Sequence, residues 1–260
     1  MSDDKSTNEF NLGGTIETAL SGNYELSPVA ILQEAWKITL QNFFRFLPAV
    51  IILLLSQLAI FFVALQLQLD DLTIIIDALQ GKGEITSTIT NSIWIANFSA
   101  DVLSAPLYAG VSLMAMSHAA GLSCRPTQIW KGFQFAAVAS ITIMLTSSIQ
   151  SGMNLIVPLI SLYLTMAFAM AILLVCEKKL TPFQALFLSF KATNKKLVPL
   201  AGIYLTLFIL FVISFMFFGL GLIIVMPLFF NVKGIIYRNM FGIKLQISSK
   251  DDQNNRVFNA

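Results

Sequence analysis

The chain has 260 residues, 56% of them hydrophobic and only 12% charged, with a mean hydropathy of +0.76 and a formal net charge of +2. Several apolar runs of about 18 or more residues exclude a soluble domain, and their lack of alternation excludes barrel strands of about ten residues. Hydrocarbon demands that a spanning backbone satisfy itself, so an all-α polytopic membrane bundle is predicted. The near-neutral charge leaves no footprint for nucleic acid.

In chain order, residues 1–27 set Asp3, Asp4, Glu9, Glu17 and Glu25 against Lys5 and contain no apolar stretch of a signal peptide. They read as a disordered acidic tail. In LSPVAILQEAWKITLQNFFRFLP, Gln33, Lys37, Gln41 and Arg45 recur by four beside a stripe of Leu32, Trp36, Leu40 and Phe43. That spacing predicts an amphipathic helix, with Ser27 as cap and Pro28 as first helical residue. A first span is predicted at 46–65 and a second at 100–120, separated by an outer loop carrying Asp70, Asp71, Asp77, Glu84 and Lys82. Asp101 falls at the outer start of the second span, where Ser99 can cap and the helix dipole favours an anion; the rival reading is a cation or proton site. His118 closes this span and reads as a structural or solvated imidazole.

RPTQIWKGF is an abbreviated amphipathic segment ahead of a third span at 133–149, and the uncharged tip SIQSGMN leads to a fourth at 155–176. LTPFQALFLSFKATNKKLVP then repeats the first amphipathic design. Leu26, Pro28, Leu32, Trp36, Lys37 and Thr39 match Leu180, Pro182, Leu186, Phe190, Lys191 and Thr193 at one constant offset, with Thr181 in the place of Ser27. Spans five and six, at 197–218 and 220–237, meet at GLG, and 243–260 is a polar tail. Residues 28–242 are thus expected to form three hairpins, each preceded by an interfacial amphipathic helix. Lys233 is placed one turn before the inner end of span six, close enough to snorkel.

Fifteen of the sixteen Lys and Arg residues then fall on one side, with Lys82 the exception. The positive-inside rule makes that side cytoplasmic and puts both termini there; five spans would expose either the basic tail or the Lys-rich segment before span five. Trp94 at the outer boundary, with Trp36 and Trp130 at the inner one, fits an aromatic belt.

Two residue sets are candidates for function. Lys37, Arg45, Lys178, Lys179, Lys191, Lys195 and Lys196 form a basic face for anionic lipid headgroups or a membrane partner, each contributing about 1 kcal/mol near a charged surface. Topological anchoring alone also demands such residues. Asp101, Ser140, Ser147, Gln150 and Asn154, thickened by Thr142 and Thr146, lie on spans two to four. They either glue helices together or line a polar path. Pro106, Pro158 and Pro227 sit within the even-numbered spans and can kink them.

No HExxH, GxSxG or GxxxxGK[ST] motif is present, and one His cannot build a multi-His metal site, so neither an enzyme nor a cofactor is expected. Cys124 and Cys176 sit at cytoplasmic ends, where thiols stay reduced. The sequon at Asn97 would matter only in a eukaryotic secretory membrane.

Six spans, the string AILLVCEKKLTPFQALFLSFKATNKKLVPL and the ending GLGLIIVMPLFFNVKGIIYRNMFG resemble an uncharacterised family of bacterial multi-pass inner-membrane proteins, the YciC type. The chain is also similar to the membrane domain that precedes some glycerophosphodiester phosphodiesterases. The resemblance covers roughly residues 26–242 and implies a bacterial inner-membrane location, with no activity and no functional residues to carry over. The expected function is non-enzymatic organisation or sensing of lipid or a membrane partner through the basic helices, and the expected partners are anionic membrane lipids and either a membrane protein or further copies of the chain in a homo-oligomer. The alternative is a small permease or channel along spans three and four.

Overall fold

In the computed structural model, which describes residues 8–69, 71, 73–80, 82, 84, 86–154 and 158–247, six helices are long and apolar enough to cross a membrane. The chain is an all-α, multi-pass membrane protein. Its elements are β1 (Asn8–Leu12), α1 (Ile16–Ser21), α2 (Pro28–Gln66), α3 (Thr73–Leu79) and α4 (Ser87–Ala119). A 3-10 helix (Pro126–Phe135) follows, then α5 (Ala136–Asn154), α6 (Pro158–Ala167), α7 (Ala171–Lys178), α8 (Pro182–Lys195), α9 (Leu197–Met216), α10 (Leu222–Phe241) and β2 (Ile243–Ile247).

Core and periphery alternate along the chain. The most apolar windows of the second, fourth and sixth spans are 67%, 56% and 61% buried, whereas those of the first, third and fifth are each 22% buried. The more buried spans are also the less apolar in the second and sixth cases, because protein contacts rather than lipid cover their polar groups. Small residues let these helices meet. A Cβ on Gly110 would strike the Ile129 carbonyl oxygen, and one on Gly132 would strike that of Pro106, so the 3-10 helix lies directly on α4. A Cβ on Gly234 would come within 2.6 Å of the Ala115 carbonyl oxygen, which sets α10 against α4 just as closely.

Several boundaries differ from expectation, each for a local reason. The first amphipathic helix and the first span are one helix of 39 residues, with Pro48 inside it. At about 1.5 Å per residue it is nearly twice as long as the hydrocarbon is thick, so its first half projects beyond the bilayer core. Ser27 precedes α2 without a side-chain cap bond. The abbreviated segment before span three winds as a 3-10 helix, not an α-helix. The fourth span breaks between α6 and α7, around residues 168–170. α4 begins at Ser87, where the Thr86 hydroxyl accepts from Ile89 N at 3.3 Å, so Asp101 sits well inside the helix and Ser99 caps nothing.

The repeat has a physical counterpart in the buried faces. Ile31, Ala35 and Thr39 of α2 are buried, as are Ala185, Ser189 and Thr193 of α8, at the offset that aligns the two sequences. Ile129, three residues after Pro126, occupies the place of Ile31, three after Pro28, and is equally buried. Each element turns large apolar residues outward: Trp36 and Leu40, Trp130 and Phe133, Phe183 and Phe187.

Residues 8–27 do not form a disordered tail. β1 pairs antiparallel with β2, from Asn8 opposite Ile247 to Leu12 opposite Ile243. Ala19 of α1 is buried, and the Tyr24 hydroxyl donates to the Ala192 carbonyl at 2.9 Å. The pairing puts the segments before the first span and after the last on the same side, as an even number of crossings requires. The remainder of the predicted tails, 1–7 and 248–260, lies outside the described residues.

Candidate functional site: an intramembrane polar cavity

Three of the five polar-path residues converge. A cavity of about 190 Å³ opens among five spans and is lined by Gln57 of α2, Asp101 and Tyr108 of α4, Thr142, Thr146, Ser147 and Gln150 of α5, and Lys233 of α10. Thr165 of α6 and the residues at the α6–α7 break close the remaining wall. Phe168, Ala169, Ala171 and Ile172 at the break face the hydroxyl-bearing side of α5 across the cavity.

Ser140 and Asn154 are not part of this site. The Ser140 hydroxyl donates to the Val102 carbonyl at 3.1 Å, tying α5 to α4. Asn154 ends α5, and its side chain lies outside the described residues.

Lys233 is the residue that sequence reasoning misplaced. α10 continues to Phe241, so Lys233 lies two turns inside the helix, and it is 2% exposed. Its Nζ donates to Tyr108 Oη at 2.8 Å and sits 4.5 Å from the Tyr108 ring centroid. Gly234 allows the close α4–α10 approach that brings the two together. Among the described residues no carboxylate lies within ion-pairing distance of this ammonium. An intramembrane cation costs roughly 3 kcal/mol on insertion scales, and such residues mark function by default.

At the other end, Asp101 is exposed and accepts from the Ser147 hydroxyl at 3.3 Å. Asp101 and Tyr108 lie on the same helix, seven residues apart, which is about 10 Å of rise. The other hydroxyl protons are spent locally: Thr142 donates to Val138 O, Thr146 to Ile143 O and Thr165 to Ser161 O. What the cavity can still offer a guest is the remaining N–H bonds of Lys233, the Tyr108 proton, the amides of Gln57 and Gln150, and the carboxylate of Asp101.

The basic face is divided. Lys37, Arg45, Lys179, Lys191 and Lys195 are exposed, and Lys191 Nζ lies 4.3 Å above the Phe187 ring. Lys196 is half-buried at the α8–α9 junction. Lys178 leaves the face altogether: its side chain is 9% exposed, pairs with Glu177 at 3.1 Å and donates to the Gly242 carbonyl at 3.2 Å. The Glu177 side chain is buried as well, and it also accepts from Tyr237 Oη at 2.7 Å and Lys244 N at 3.1 Å. His118 is buried; its Nδ1 donates to Asn231 Oδ1 at 3.2 Å, and Asn231 Nδ2 donates to Thr39 Oγ1 at 2.9 Å. Both Cys124 and Cys176 are buried, and burial pushes the Cys124 thiol up.

Comparison with protein-family models, with curated proteins and with solved structures finds no match to this chain.

Proposed function

We propose that the protein is a non-enzymatic, bacterial inner-membrane protein that admits a small polar solute to its intramembrane cavity, as a small permease does. Both termini face the cytoplasm in this reading, which rests on the distribution of basic residues, and the YciC-type resemblance is compatible with it. The observation that carries the reading is the convergence of Asp101, Ser147, Gln150 and the deeply buried Lys233 on one cavity within the spans. A buried ammonium that no described carboxylate pairs is costly, and a cavity that sets it beside further polar groups has a use for it. Solute flux into proteoliposomes tests it: substituting Ser147 or Gln150 with a bulky apolar residue should abolish a flux that the native chain supports. Absence of flux for neutral, anionic, cationic and zwitterionic solutes alike would refute it.

A second reading keeps the basic face as a lipid or partner surface. It is favoured by the outward Trp36, Trp130, Phe183 and Phe187, which flank the exposed Lys37, Lys191 and Lys195 on the elements preceding the odd-numbered spans. Charge reversal at Lys191, Lys195 and Lys196 should then cut co-purification of anionic lipid; unchanged lipid would count against this role.

A further inference from the structure

Lys233 and Asp101 share a cavity without neutralising each other. No ion pair joins them, so their charged atoms are more than 4.0 Å apart. They also cannot be far apart. Lys233 is held by Tyr108, whose helical position is about 10 Å of rise from Asp101, and helical side chains lean toward the N-terminus, the direction of Asp101.

We propose that this cavity is a binding site for a small zwitterion, with the oxyanion of the guest on Lys233 and Tyr108 and its ammonium on Asp101. Two charge-assisted contacts of about 2.8 Å each, plus the few Å between the charged groups of an amino-acid-like molecule, add up to a length comparable with the helical rise of about 10 Å between Asp101 and Tyr108. The inventory of unspent groups matches. Lys233 has one hydrogen-bonded acceptor among the described residues, Tyr108 Oη, and an ammonium has three donors. Tyr108 accepts that bond and retains its own proton for the guest. Among the described residues the Asp101 carboxylate receives a single long bond, from Ser147.

The two charges also discriminate. A lone anion would meet Lys233 but also the field of Asp101, and a lone cation would meet the reverse; only a guest carrying both leaves neither charge opposed. A volume of about 190 Å³ holds a molecule of a few heavy atoms. The same chemistry is found in a free amino-acid-like solute and in the phosphoethanolamine headgroup of a lipid.

The proposal rests on the polar-solute reading above and is tested on the full chain in maltoside micelles, which carry no charge, by titration calorimetry. The probes are β-alanine and taurine, with acetate, ethylammonium and glycerol as single-charge and uncharged controls. The zwitterions should bind at least about tenfold more tightly than any control. Lys233→Gln and Asp101→Asn should each erase that preference. Asp101 is exposed, so its variant keeps the test valid if Lys233→Gln does not fold. Added phosphatidylethanolamine that competes with β-alanine identifies the headgroup as the source of this chemistry; failure to compete identifies the free solute, and both support the site. Glycerol or a singly charged control binding as well as the zwitterions overturns the assignment and leaves the polar-solute reading standing. Binding of none of the five overturns both.

Discussion

Arg238 of α10 and Glu34 of α2 face each other through two parallel bonds, Nη1 to Oε1 at 2.6 Å and Nη2 to Oε2 at 2.9 Å. Nη1 also reaches the Ala119 carbonyl, at 2.8 Å, where α4 ends. One guanidinium therefore ties together the terminal-side ends of three helices, and its own carbonyl accepts from Gly14 N at 3.0 Å, adding the segment before α1. A forked donor matches this geometry and an ammonium does not. Arg238→Lys should lower stability, and Arg238→Leu should lower it further, by about 2 kcal/mol, because bonds to a charged group are lost. Thermal unfolding in detergent measures both; equal melting temperatures for all three chains would show that the junction contributes nothing.

The glycine contacts predict opposite signs at different positions. Gly110→Ala and Gly132→Ala place a methyl group against backbone oxygen and should cost about 1–3 kcal/mol or prevent folding. Gly152→Ala and Gly202→Ala meet nothing within 4 Å and should stabilise their helices by about 0.5–1 kcal/mol. Monodisperse yield in detergent separates the two pairs, and a tolerant Gly132 would contradict the close α4 contact.

Tyr24 gives a pH dependence of known sign. Burial pushes its phenol up from 10.0 to about 12. The folded chain thus holds this proton more tightly than the unfolded chain does. The stabilisation is fully present below pH 10.0 and is lost as pH rises toward 12. Tyr24→Phe should be less stable at neutral pH by about 1 kcal/mol, since the bond to Ala192 is lost, and should show a smaller decline between those pH values. Parallel melting curves at pH 9 and above decide the matter; identical slopes would rule out Tyr24 as the source.

Orientation is open to direct labelling. Cys124 and Cys176 are buried, so the folded native chain should react slowly with maleimides and provide a quiet background. Lys82→Cys and Lys195→Cys both introduce exposed thiols and should label from opposite sides of the membrane. Labelling of both from one side is incompatible with six crossings.

Much of the bundle was legible in the sequence because hydrophobic run length is a local property. The spans expected at 197–218 and 220–237 overlap α9 and α10 almost throughout. Helix ends were less legible: the local signals, Thr86 ahead of α4 and Gly242 after α10, lie outside the apolar runs that set the predicted bounds. Those extensions moved Asp101 and Lys233 from helix ends into helix interiors. The convergence of Asp101, Ser147 and Gln150 depends on how α4 and α5 are rotated about their axes, which local periodicity does not fix. Lys233 carries a visible signal, a basic residue inside an apolar run, but the run does not show that the helix continues four residues past Tyr237 and so keeps Lys233 away from the interface. Pairing of β1 with β2 links residues more than 230 positions apart and has no local signature.

That pairing orders events during synthesis. Residues 8–12 leave the ribosome long before residues 243–247, to which they bind. At about 5–20 residues per second the first strand waits roughly 10–50 s for its partner, with every spanning helix inserted in the meantime. Among the described residues the seam is therefore the last secondary structure that can close, and a chain that stalls before residue 243 leaves the edge of β1 unpaired.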